Sequence, residues 1–136
     1  MPKKEIVSSD KLAPGRGLLS QATRFGNMVF VQGCTGRHPT TNATGKDIRE
    51  QTRFTIDRIK LILEAAGTSL DNVMTNTCYL ARKEDLEGFN EVYGEYFKDD
   101  RPARTAMVSN SPSPRVKPRS QGSTRASAAA TSCPPR

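Results

Sequence analysis

The sequence predicts helices layered on one face of a mixed β-sheet, and three observations carry that prediction. Two short apolar runs flank Gly26-Asn27, a pair suited to a tight hairpin. A capped amphipathic stretch opens at Asp47, and a β-rich run from Asn72 is followed by a second amphipathic stretch with an aromatic stripe. The resulting order is strand, strand, helix, strand, helix, strand. Such alternation implies an α/β layer in which the two helices cover one sheet face. The uncovered face must then meet something apolar or be unusually polar.

In the hairpin, Leu18-Leu19 lead through Gln21 to Phe25, and Met28-Val29-Phe30-Val31 return. Gly33, Gly36, Pro39, Asn42 and Gly45 then crowd a polar stretch, a flexible loop with unusual backbone angles that suits a site rim. Asp47 and Glu50 have the spacing of a helix N-cap and its third residue. Ile48, Thr52, Thr55, Ile59, Ile62 and Ala66 follow at helical spacing, and Gly67 supplies the stop. Arg49, Arg53, Asp57, Lys60 and Glu64 fall on the other side, which reads as a solvated face.

From Asn72 to Leu80, Val73, Thr75, Thr77 and Tyr79 alternate with Met74, Asn76, Cys78 and Leu80, a strand half apolar on both faces. Leu86, Phe89, Tyr93, Tyr96 and Phe97 recur at helical spacing within Lys83 to Lys98, and their stripe reads as core. Pro102 breaks the pattern. Arg104 to Val108 has the length and composition of a last strand.

The 136 residues suffice for one domain with a real core, and hence for one site, which copies of the chain can share. The net charge of +7 hints at nucleic acid, but it is unevenly spread. Residues 1–109 hold 16 Lys and Arg against 14 Asp and Glu, whereas residues 110–136 hold 5 against none. The domain is therefore assigned to 1–109. Residues 110–136, with five prolines, six serines and no Leu, Ile, Met, Phe or Tyr, are expected to form an irregular basic tail. No apolar run approaches the length of a membrane span, and three scattered cysteines without a Cys-x-x-Cys pair fit a reducing compartment. A cytoplasmic protein is expected, with no membrane partner and no nucleic-acid partner.

Chemistry-bearing residues are few. His38 is the sole histidine and sits beside Pro39 in the polar loop, so it reads as a loop residue. No spacing supplies three metal ligands, and no glycine pattern has the form of a phosphate loop. Cys34 has no visible activating partner and reads as a small buried thiol. What remains is Arg104, held just after the Pro102-Ala103 turn and presenting a flat fork of donors that matches a carboxylate. A site of so few parts suits a substrate that is already reactive. An imine of a 2-oxo acid is one, because its carbon accepts water readily and needs mainly orientation.

Gly26-Asn27-Met28-Val29-Phe30-Val31-Gln32-Gly33, Gln51-Thr52, Ala65-Ala66-Gly67-Thr68-Ser69-Leu70, Asn90-Glu91-Val92-Tyr93-Gly94-Glu95-Tyr96-Phe97 and Pro102-Ala103-Arg104 stand in this order along the chain. Together they resemble the signatures of the Rid (YjgF-type) reactive-intermediate deaminases, also described as L-PSP endoribonuclease-like. The resemblance implies a chorismate-mutase-like α+β fold, a mixed sheet with two helices on one face, assembled as a homotrimer with sites between subunits. It implies hydrolysis of 2-imino acids, such as 2-iminobutanoate and 2-iminopropanoate, to 2-oxo acids and ammonia without a cofactor or metal. Arg104 then matches the arginine that grips the substrate carboxylate. Gly33 matches a loop glycine near the substrate, Asn90 a helix residue beside the cleft, and Ala106 the position whose backbone meets the substrate nitrogen.

Two departures bear on activity. Leu19 stands in Gly17-Leu18-Leu19-Ser20-Gln21 where relatives carry a tyrosine, and no acid follows Val108 where relatives end in a strand whose acid positions water. Weakened deamination, or carboxylate binding without turnover, therefore stands beside the leading reading. An endoribonuclease or translation inhibitor ranks last, because the body has no basic stripe interleaved with aromatics and no histidine pair.

Overall fold

The computed structural model describes residues 1–15 and 17–109, together with the backbone of 124–132. Strand β1 (Glu5–Val7) pairs antiparallel with β2 (Ala22–Phe25), which turns directly into β3 (Met28–Val31). Phe25 faces Met28 across a two-residue turn, where Gly26 has φ 58°, the left-handed region that favours glycine. The hairpin is thus present, but its first strand begins only at Ala22, and Leu18 and Leu19 stay 88% and 77% exposed.

After the short strand β4 (Cys34–Thr35), the glycine-rich loop lies against the first turn of α1 (Ile48–Ala65). A Cβ added at Gly36 would stand 2.4 Å from Gln51 Cβ, and Gln51 Nε2 donates to the Gly45 carbonyl at 3.0 Å. The two glycines therefore permit close packing on the helix, and this part of the loop is a strap.

Both ends of α1 follow from its caps. Asp47 Oδ1 accepts from the Glu50 N–H at 2.9 Å, and Glu50 Oε2 accepts from the Lys46 N–H at 2.6 Å. Gly67, at φ 80°, ends the helix while Thr68 N–H returns to the Leu63 carbonyl and Gly67 N–H to that of Glu64. The buried face holds Thr52, Thr55, Ile56, Ile59, Ile62 and Leu63 and packs on β3 and β4.

Strand β5 (Val73–Leu80) leads through a 3₁₀ turn to α2 (Leu86–Tyr96). Of the predicted stripe, Phe89, Tyr93 and Phe97 are buried and Tyr96 is half-buried, whereas Leu86, at the helix start, is exposed; Val92 is buried in addition. The supposed solvated face of α1 is partly a helix–helix seam instead. Arg49 pairs with Glu91 and Arg53 with Glu95, both 42 residues apart, so the helices run in the same direction. Tyr96 Oη donates to Asp57 Oδ1 at 2.7 Å, while Lys60 and Glu64 stay exposed. Nothing in the local spacing of α1 can reveal partners so far along the chain.

Strand β6 (Ala103–Val108) runs parallel to β5, with Asn76 opposite Arg104 and Cys78 opposite Ala106. All six of its residues are exposed. Between β3 and β5 lies β7 (Thr124–Ser132), antiparallel to both and to β4, so the sheet order is β1-β2-β3-β7-β5-β6. The expectation of an irregular tail is corrected for residues 124–132, which occupy the middle of the sheet. Its remaining residues, 110–123 and 133–136, lie outside the described ones. Ala and Ser, which fill most of β7, show little strand preference by themselves; here the flanking strands supply the backbone partners that impose one. The result is an α+β fold with a mixed sheet and two helices on one side.

Candidate functional site

Arg104 projects from β6 beneath α2. Its Nη1 donates to Asn90 Oδ1 at 2.8 Å, and its guanidinium carbon lies 4.8 Å from the Tyr93 ring centroid and 5.7 Å from that of Phe89. The rings are themselves fixed: Tyr93 stacks on Phe97 at 4.6 Å, and its hydroxyl accepts from buried Asn76 Nδ2 at 3.0 Å. Burial, opposed by that Asn76 bond, holds the Tyr93 phenol above its ordinary range. Arg104 thus rests on a rigid aromatic floor and is exposed on its outer side. Among the described residues no carboxylate pairs with it, whereas Arg24, Arg49, Arg53 and Arg82 each have one. A guanidinium held by a neutral amide keeps its charge and most of its donors for a ligand.

Ala106 follows two residues along the same strand and so faces the same side as Arg104. Arg104, Asn90 and Ala106 are therefore neighbours in one cluster. Gly33 is elsewhere: it lines a cavity of about 480 Å³ with Leu19, Gln32, Cys34, Thr35 and Arg58. Cys34, Ala126, Cys78 and Ala106 are successive partners across β4, β7, β5 and β6. Three strand spacings, ~14 Å in all, hence separate the two groups, more than a small 2-imino acid spans.

Arg58 is the residue that sequence reasoning passed over. It follows Thr55 by three positions and precedes Ile62 by four, and both are buried, so the helix turns it inward. A charge within the apolar repeat of α1 was the available signal.

The other reactive groups have structural roles. Thr40 and Thr41 backbone N–H groups donate to His38 Nδ1 at 3.3 Å, and the ring meets the Phe54 ring edge-on. His38 is a clasp of its loop. Burial pushes the Cys34 and Cys78 thiols from an ordinary value of 9.0 up to about 11, although Arg58 and Arg104 respectively pull them down. Both are therefore neutral near pH 7 and poor nucleophiles. A raised thiol pKa stabilises the fold fully below 9, and that contribution is lost as pH rises towards 11. Thermal midpoints followed from pH 8 to 11 should fall, and the fall should be shallower in Cys34→Ser. Among the described residues no three His, Cys, Asp or Glu side chains converge as metal ligands, and no helix is long and apolar enough to cross a membrane.

The endoribonuclease L-PSP family matches the chain over residues 11–117. A RutC family protein of Pyrococcus abyssi is 44% identical over 105 residues, covering 76% of this chain and 83% of that protein. A 3-aminoacrylate deaminase RutC of Acinetobacter baylyi is 36% identical, covering 76% of this chain and 82% of its own length. Among solved structures, RidA from an Antarctic Psychrobacter superposes with a TM-score of 0.80 at 27% identity, covering 94% of this chain and 98% of the other.

Proposed function

The chain belongs to the endoribonuclease L-PSP family, whose RutC and Rid members include proteins named as deaminases, and from that premise we propose that it hydrolyses 2-imino acids to 2-oxo acids and ammonia. The observation that carries the reading is Arg104, an exposed guanidinium on an aromatic floor, steadied by Asn90 and lacking a carboxylate partner among the described residues. Its fork takes the substrate carboxylate in a bidentate grip and sets the C=N carbon near the backbone of Ala106. Water adds to that carbon and a proton passes to nitrogen. The carbinolamine then expels ammonia as its C–O bond becomes the carbonyl. No cofactor enters this sequence.

The site is completed by a second copy. Gly33 and Arg104 are too far apart in one chain to share a small ligand, so the Gly33 loop of a neighbour meets the Arg104 cluster, in keeping with a homotrimer. The exposed strand β6 and the exposed apolar side chains of Ile6, Phe30 and Met107 supply surface for that association. Leu19 beside Gly33 and the absence of any acid after Asp100 predict slow turnover. The test generates 2-iminobutanoate in situ with an amino-acid oxidase and follows 2-oxobutanoate. Release faster than in buffer is expected; release no faster, at any protein concentration, removes the deaminase reading.

A further inference from the structure

Arg58 lies in the wall of the Gly33 cavity, and among the described residues lining that cavity it alone is charged. Its Nε and Nη1 are enclosed and reach no hydrogen-bond acceptor among the described residues. A guanidinium stays protonated, and Arg58, half-buried with two nitrogens out of reach of water, favours a counter-charge. Cys34 hydrogen-bonds the Arg58 side chain but supplies no counter-charge, because burial keeps that thiol neutral. Nor does the adjacent Asp57, which is engaged by Tyr96 in the helix seam. The other described lining residues, among them Leu19, Gln32 and Thr35, are neutral, so this wall of the cavity is electropositive, with about 480 Å³ to fill.

We propose that Arg58 seats a second anionic group of the ligand, which makes the preferred substrate class 2-imino acids with a distal carboxylate. This rests on the reading that Gly33 of one copy and Arg104 of another face the same molecule. Arg104 then grips the carboxylate next to the reacting carbon, and Arg58 takes the far one. Gln32 and Thr35 add neutral donors to the same wall. Arg58 gains the counter-charge that the described residues lining the cavity do not provide.

The experiment compares two stable product-type ligands, 2-oxobutanoate and 2-oxoglutarate, by calorimetry at fixed ionic strength, alongside turnover of the corresponding imines. The wild-type chain should bind the diacid about tenfold tighter or more. That ratio should collapse towards one in Arg58→Gln and be partly kept in Arg58→Lys. Equal affinities in the wild type, no diacid binding, or a preference that survives Arg58→Gln overturns the proposal, and the wild-type ranking needs no variant to fold. Turnover of the monoacid imine without diacid preference sinks the second anion site alone. An Arg58-dependent diacid preference without turnover of either imine sinks the deaminase reading alone.

Discussion

Arg104→Gln should lower kcat/KM for a 2-imino acid by about ten- to a hundredfold while leaving the thermal midpoint close to that of the wild type. The lost interaction is a charge-assisted, bidentate hydrogen bond, for which ~1.5–3 kcal/mol is the usual range. Stability should change little because the guanidinium is exposed and bonds one neutral amide. Arg104→Lys separates charge from shape. A lysine keeps the attraction but loses the flat fork and its seat over Tyr93, so an intermediate loss is expected. Full activity in Arg104→Gln would mean that the carboxylate is held elsewhere.

Ending the chain after Ser109 should abolish cooperative folding altogether. In the sheet, β7 is the link between the β1-β2-β3 half and the β5-β6 pair. Seven residues of β5, from Val73 to Leu80, face it; on its other side β3 would keep only β2, and β4 would lose its one strand partner among the described residues. Unpaired backbone groups and uncovered core on both sides would outweigh the ~5–15 kcal/mol by which a domain of this size is stable. Circular dichroism and a urea titration decide the matter. A truncated chain that melts like the full one would mean that residues 110–136 are an appendage after all.

How legible the fold was depended on how local its causes are. The ends of α1 could be read from Asp47, Glu50 and Gly67 because caps act within a few residues. The hairpin was legible from Gly26-Asn27 for the same reason. Strand β7 was not, because a run of small residues between prolines becomes a strand only when two other strands offer it a place. The seam of Arg49, Arg53 and Asp57 with α2 was hidden by sequence distance. At the site, Arg104, Asn90 and Ala106 proved to be neighbours, but the gap between them and Gly33 is a matter of sheet order, which no motif states.

The central place of β7 also bears on biosynthesis. A ribosome delivers β1 to β3, then α1 and the β5-α2-β6 unit, before the strand that joins these pieces has emerged. Nascent chains would therefore wait as two half-sheets with apolar faces uncovered, and closure would be a late, long-range and slow event. Aggregation-prone intermediates that chaperones would shield are the expected consequence of that arrangement.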